Sequence, residues 1–293
     1  FDGVHRGHLG ILQRVVREAG PDGTSTAVSF DPHPRQVLGG HAPKALTTLE
    51  ERADLILNAG IDRFAVIEFD SEVAGMTPRR YVREMLVDEL NASVVVVGHD
   101  HRFGQGASGD ATLLTELGAE YGFRVERVEA VAEGGNAVSS SRIRRLVGDG
   151  KMEEAAELLG RRFAVEGVVA RGDGRGRSIG FPTANLTSIP DGKMTPADGV
   201  YAVYVSGERL EGFERGMMNI GIRPTFDGTD RLLEVHLFDV DLDLYESELR
   251  VEFALRIRAE RRFDSVDDLV AQLKRDEERC RAALSKEDAH LRR

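Results

Sequence analysis

The chain has 293 residues, 41% hydrophobic and 30% charged, which suits about two domains with ordinary cores. Its net charge of −11 argues against a nucleic-acid partner, which would want a basic face. The longest aliphatic run, Val94–Val97, falls far short of the ~20 apolar residues of a membrane span. The chain opens on a polar, His-rich segment rather than a signal peptide, and its single cysteine, Cys280, excludes an intramolecular disulfide. A cytoplasmic, reducing location with no membrane partner is expected.

In chain order, Leu9–Glu18 is helix-like, Ser25–Phe30 reads as a buried strand, and Thr47 with Glu50 forms a capping-box pattern before a helix over Arg52–Ala59. Phe64–Phe69 is a second strand. Thr77 followed by Pro78 opens a helix to Leu90, Val94–Val97 is a third strand, and Asp110 caps a helix to about Tyr121. Alternating β and α elements with buried strands predict a Rossmann-like α/β domain on a parallel sheet, with its ligand crevice beyond the carboxyl ends of the strands. Val147–Gly160 reads as a short helical linker. Beyond it, Phe163–Ala170, Gly199–Val205, Arg215–Ile220, Leu232–Phe238 and Leu249–Ile257 are strand-like between Gly, Pro and Asp. They predict a small antiparallel β-barrel closed by a C-terminal helix, Ser265–Leu284, whose Val266, Leu269, Leu273 and Cys280 fall at helical spacing for packing on that barrel. The expected domains are therefore residues 1–147 and 161–293, joined by the linker 148–160. The sequence leaves the oligomeric state undefined.

Two stretches of the first domain carry anion-binding chemistry. Phe1-Asp2-Gly3-Val4-His5-Arg6-Gly7-His8 precedes a helix, whose free N–H groups and partial positive charge attract phosphate. Gly7 permits close backbone approach, and His5 and His8 can donate to oxygens that gain charge in a transition state. Val138-Ser139-Ser140-Ser141-Arg142-Ile143-Arg144 offers hydroxyls at a second helix start, with Arg144 one turn in as a forked pyrophosphate clamp. Alone, His-x-Gly-His is equally a solvated loop or half a metal site, and Ser-Ser-Ser-Arg is an ordinary cap. Together and in this order they resemble the signature of the nucleotidyltransferase superfamily, which releases pyrophosphate. The resemblance makes His5, His8 and Arg144 catalytic, with Gly7, Ser140 and Ser141 on ATP.

Two further loops follow predicted strands. Ser29-Phe30-Asp31-Pro32-His33-Pro34-Arg35 and Val97-Gly98-His99-Asp100-His101-Arg102-Phe103-Gly104 resemble the flavin-side loops of the FMN adenylyltransferase module of bacterial FAD synthetases. That resemblance assigns Phe30, His33, Pro34, Asp100 and Phe103 to flavin. The competing reading is a proline-shaped turn with a surface histidine. A transition-metal site is disfavoured, since no carboxylate stands at ligand spacing on a shared helix and Cys is absent from this domain.

The barrel half carries Ala170-Arg171-Gly172-Asp173-Gly174-Arg175-Gly176-Arg177-Ser178-Ile179-Gly180-Phe181-Pro182-Thr183-Ala184-Asn185. A Gly-rich loop lets backbone N–H groups fold around phosphates, though hairpin tips look alike. Its continuation resembles the Pro-Thr-Ala-Asn motif of riboflavin kinase, which gives Thr183 and Asn185 the Mg²⁺ ion and, with Gly172, Gly174, Gly176, Gly180 and Pro182, the ATP phosphates. Met218-Asn219-Ile220-Gly221-Ile222-Arg223-Pro224-Thr225-Phe226 and Leu233-Glu234-Val235-His236-Leu237-Phe238-Asp239 follow the same family in order. Glu234 and His236 share one strand face, and an acid there is ordinarily just solvated. The resemblance makes Glu234 the general base.

Across essentially the whole chain the sequence is similar to the bacterial FAD synthetases, bifunctional riboflavin kinase/FMN adenylyltransferases. That implies an α/β nucleotidyltransferase domain before a riboflavin kinase barrel, with ATP, riboflavin and FMN as substrates and Mg²⁺ as the ion. Intact motif residues in both halves weigh against an adenylyltransferase for another acceptor and against a flavin-binding protein without turnover. The sequence departs from the pattern in three ways. His101 stands where Phe is commoner, and Ala107-Ser108 where many relatives are basic. The N-terminal strand and its Gly, expected before Phe1, are missing, so a weakened adenylyltransferase module is expected.

Overall fold

Amphipathic stretches between apolar runs become helices between strands in the first half of the chain. The computed structural model describes residues 1–40, 42–172, 175–225 and 228–291, and contacts divide the chain into Phe1–Ser140 and Ser141–Arg293. The first unit runs α1 (Arg6–Ala19), β1 (Thr26–Asp31), α2 (Pro34–Val37), α3 (Leu49–Asn58), β2 (Arg63–Glu68), α4 (Ser71–Gly75) and α5 (Pro78–Tyr81), which continues as a π-helical stretch, Val82–Glu89. Then come β3 (Val94–Gly98), a 3₁₀ turn (Gln105–Ala107), α6 (Ala111–Tyr121), β4 (Arg124–Val128) and a small hairpin of β5 (Ala132–Glu133) and β6 (Asn136–Ala137).

Several boundaries follow from local chemistry. Thr77 caps α5 with Pro78 at its first position, and Asp110 caps α6 by accepting from the N–H groups of Thr112 and Leu113. Gly122 ends α6 in the left-handed conformation, at φ 87°. The expected capping box is displaced by one residue. Thr48 and Glu51 form it, because the Thr47 hydroxyl is taken by Asp2 and by the Gly3 N–H. The expected parallel pairing of the strands is present. β1 pairs with β2 and β3 with β4, both parallel, and among the described residues these remain two separate pairs. β4 escaped the sequence reading because Arg-Val-Glu-Arg-Val is half polar. Each pair has its own core: Val4, Leu12, Ala27, Ile56 and Ile61 by the first, and a cluster of Val82, Leu86, Val97, Phe103, Leu114, Leu117 and Phe123 by the second. Helix α1 packs on β1, β3 and β4 and so joins the two.

The second unit holds α7 (Ser140–Gly148), α8 (Met152–Leu159), β7 (Phe163–Ala170), α9 (Arg175–Ser178), β8 (Ala184–Thr187), β9 (Gly199–Gly207), β10 (Glu214–Thr225), β11 (Gly228–Leu237), β12 (Glu248–Arg258) and α10 (Val266–Leu291). Six strands close a barrel in the order β10-β11-β8-β7-β12-β9, with every pairing antiparallel. Strand β8 was not expected from the sequence; it is short and poor in β-branched residues. Strand β9 is buried from Gly199 through Val205. One of its faces lines the barrel interior, while Val200, Ala202 and Tyr204 meet Cys280 and Leu284 of α10 outside. Helix α8 packs on β7 and β12 with Met152, Ala155, Leu158 and Leu159 buried.

A buried charge fixes α10 to the barrel. Asp276 is 0% exposed and accepts from Arg258 Nε and Gln272 Nε2, both at 2.8 Å. Removing one member of such a group strands the others, at a cost of about 3–5 kcal/mol. Asp276→Ala is therefore expected to destabilise the barrel unit by that order, measured as a lowered urea midpoint in unfolding followed by tyrosine fluorescence.

Candidate active sites

In the first unit, His5 is buried and is itself the N-cap of α1, its Nδ1 accepting the His8 N–H at 3.3 Å. A neutral His5 must then carry its proton on Nε2, as a donor. The His5 and His8 rings stack, with centroids 3.7 Å apart and planes 16° from parallel. His8 Nδ1 is buried and unpartnered among the described residues, a polar atom that a ligand could satisfy. Gly7 is where backbone space matters most. A Cβ there would lie 3.1 Å from His5 Cε1 and 3.2 Å from its Nδ1. The hydroxyl of Ser140, the last residue of the first unit, donates to the Asp2 carbonyl at 2.8 Å. Ser141 and Arg144 lie further along α7.

The two flavin-side loops stand at the carboxyl ends of β1 and β3. After the cis Asp31–Pro32 bond, His33 caps α2 through Nδ1, which accepts the Arg35 N–H at 3.2 Å, and Pro34 is the first helical residue. An aromatic series links the loops. Phe30 lies 5.3 Å from Phe69 and 6.5 Å from Tyr81, Tyr81 6.0 Å from Phe103, and Phe103 5.8 Å from His101 between ring centroids. Phe103 is buried in the second core cluster, so it backs this series from within; Asp100 is exposed beside it. Tyr81 and Phe69 were missed in the sequence because each is a lone aromatic in an ordinary element.

In the barrel, strand register assembles the second site. Glu234 on β11 stands directly opposite Asn185 on β8 and, on its other side, opposite Asn219 on β10. Directly paired residues point to the same face. This is the outer face, since Met217, opposite His236, packs beneath α10. The His236 Nδ1–H donates to the Pro182 carbonyl at 2.7 Å, holding the Pro-Thr-Ala-Asn segment against β11. The Gly-rich loop lies close over the same residues: a Cβ on Gly172 would sit 2.2 Å from Asn185 Nδ2, and one on Gly176 3.3 Å from Thr183 Oγ1. Gly180 has φ 84°, a turn conformation that suits glycine. Gly174 and Asp173 lie outside the described residues, as does Phe226. The sequence reading gave no role to Asn219 or His236; only the register reveals that they flank Glu234 and the loop.

Comparison with known proteins finds a family for each half of the chain. The family described as FAD synthetase matches residues 1–142, and that described as riboflavin kinase matches residues 159–284. The bifunctional riboflavin kinase/FMN adenylyltransferase of Escherichia coli (strain K12) is 40% identical over 94% of this chain and 88% of its own length. Those of Listeria monocytogenes and Bacillus subtilis are 37% and 35% identical, over 98% and 95% of this chain and 91% and 88% of their own. A Streptococcus pneumoniae crystal structure, described as a macrolide-efflux protein, superimposes with a TM-score of 0.88 at 34% identity, over 96% of this chain and 91% of that one. The fold and the family matches are those of a flavin-nucleotide transferase. The chain belongs to the bifunctional riboflavin kinase/FMN adenylyltransferase family and has its two activities.

Two measurements test this geometry. Burial above all, aided by the charges of His5 and Arg52, holds His8 well below its ordinary value of 6.5. Below pH 6.5 the unfolded chain then takes up a proton that the folded site refuses, so stability falls as pH falls. Thermal unfolding of the first unit is expected to shift downward from pH 7 to about 5.5, and His8→Asn to flatten that dependence. Gly172→Ala is expected to lower kinase turnover without affecting FAD formation from FMN, because the new methyl displaces Asn185; steady-state rates of both reactions check it.

Proposed function

We propose that the two activities are divided between the two halves, with residues 1–147 as the FMN adenylyltransferase, 148–160 as a connecting helical segment and 161–293 as the riboflavin kinase. The observation that carries the kinase assignment is the register that sets Glu234 between Asn185 and Asn219, beside the Gly-rich loop. The kinase phosphorylates riboflavin. The 5′-hydroxyl of the ribityl chain attacks the γ-phosphorus of ATP, the new P–O bond forms as the bond to the β-phosphate oxygen breaks, and ADP leaves. Glu234 takes the hydroxyl proton. Gly172, Gly174, Gly176, Gly180 and Pro182 surround the phosphates. A hydroxyl and an amide oxygen beside a carboxylate fit Mg²⁺, which keeps phosphate oxygens and waters among its ligands. Thr183 and Asn185 would hold the ion, which would draw charge from the transferring phosphate.

In the first half, an oxygen of the FMN phosphate attacks the α-phosphorus of ATP and pyrophosphate leaves. That nucleophile is already ionised, so positioning and donors suffice. His5 and His8 donate to the phosphate oxygens at the start of α1, Gly7 admits them, and Ser140, Ser141 and Arg144 hold the pyrophosphate side. Phe30, His33, Pro34, Asp100 and Phe103 define the flavin side. No helix of the described residues is long and apolar enough to cross a membrane, and Cys280 is buried with its thiol pushed up to about 12, first by burial. The single cysteine and the small soluble substrates support work in the cytoplasm.

Incubation with riboflavin, ATP and Mg²⁺, with flavins separated by chromatography, tests the division. Glu234→Gln is expected to lower FMN formation by roughly 10²–10⁴-fold, the usual worth of a general base, while FMN supplied directly still becomes FAD. Undiminished FMN formation would remove Glu234 from the role.

A further inference from the structure

The residue 1–8 loop is held in a conformation that its own side chains resist. Val4 is β-branched, 1% exposed, and sits at φ 37°, next to Gly3 at φ 83°. Such backbone persists only where its surroundings over-determine it. Here the restraint is a web around Asp2 and Arg52. The Asp2 carboxylate accepts the Leu46 N–H at 3.0 and 3.1 Å, the Thr47 N–H at 3.1 Å and the Thr47 hydroxyl at 3.2 Å. That hydroxyl in turn accepts the Gly3 N–H at 3.0 Å. Arg52, in the first turns of α3, has Nη2 3.8 Å from Asp2 and 3.4 Å from the Thr47 carbonyl, to which it donates. Its Nη1 donates to the hydroxyl of buried Ser29 at 3.2 Å, and Ser29 immediately precedes Phe30. Arg52 and Asp2 are only 13% and 11% exposed, so water does little to screen the pair.

We propose that Arg52 is a positioning residue for adenylyl transfer: through Asp2, Thr47 and Ser29 it locks the His5–His8 phosphate loop to the end of β1 that carries the flavin loop. The inference rests on the reading of this unit as the adenylyltransferase. One guanidinium thereby spans the two substrate sides, fixing the distance between the groups that hold ATP and those that hold FMN. Arg52 has a second effect. Arg52 is among the groups that face His8, and its charge adds to burial, the largest cause, in keeping the His8 ring neutral.

The test compares Arg52→Met, Arg52→Lys and Asp2→Asn with the unaltered protein in three measurements: FMN-to-FAD kinetics, riboflavin-to-FMN kinetics, and NMR titration of His8. Arg52→Met is expected to lower kcat for FAD formation on the order of 10–100-fold, the usual cost of a small misplacement. KM should move less than kcat, FMN formation should be unchanged, and the His8 midpoint should rise. Arg52→Lys, which keeps the charge but not the fork, should restore the midpoint and only part of kcat. Normal FAD turnover with an unmoved His8 midpoint in Arg52→Met would overturn the proposal. If Arg52→Met does not fold, Asp2→Asn decides: lowered kcat for FAD supports the link, and unchanged kcat refutes it. Failure of the unaltered protein to make FAD would instead refute the assignment of the unit, an outcome distinct from failure of the Arg52 link.

Discussion

A chain of net charge −11 that handles polyphosphate must attract it at contact range. Charges farther away than about 8 Å are largely screened at physiological ionic strength, so the acidic surface is tolerable provided donors lie within hydrogen-bond reach. Both proposed sites combine backbone and neutral donors with the arginines of their motifs, Arg144 in the first and Arg171 and Arg177 in the Gly-rich loop of the second. In the first unit the proposed donors are the open end of α1 and two stacked histidines, one of them kept neutral by burial. In the barrel they come from a Gly-rich loop laid so close over Asn185 and Thr183 that side chains are excluded. Glycine at these positions is thus a consequence of electrostatics as much as of backbone freedom.

The nucleophile sets the remaining difference. A hydroxyl must lose a proton to attack phosphorus, and the barrel presents a carboxylate whose two cross-strand neighbours are amides. An ionised phosphate needs no such base, and a free carboxylate near it would repel it. The acid of the first motif, Asp2, is accordingly consumed by three donors of the 46–47 backbone and the Thr47 side chain, and serves the loop instead of the ligand.

Much of this was legible before any coordinates. Strand β7 has the bounds its apolar run predicts, and the Thr77-Pro78 and Asp110 helix starts stand where their side chains put them. These features rest on local chemistry, which sequence carries directly. What stayed hidden depends on partners far along the chain. Thr48 displaced Thr47 as a cap only because Asp2, 45 residues away from Thr47, claims the latter. Strand β8 exists because β7 and β11 supply hydrogen-bonding edges, not because its residues favour extension. Asn219 flanks Glu234 by register alone, and Phe103 proved to be a core residue behind the aromatic series rather than an exposed face.

The two sites also draw their stiffness from different sources. The barrel site is written into a closed sheet: Glu234, Asn185 and Asn219 cannot drift apart without breaking ladder pairs on both sides of β11. The loop of the first unit has no such ladder, and Val4 at positive φ works against it. Its geometry therefore depends on a few side-chain contacts made by Asp2, Thr47 and Arg52. A site held by a sheet keeps its backbone geometry as long as the fold survives. A site held by a clasp can lose it while the fold survives, which makes adenylyl transfer the activity more exposed to single substitutions.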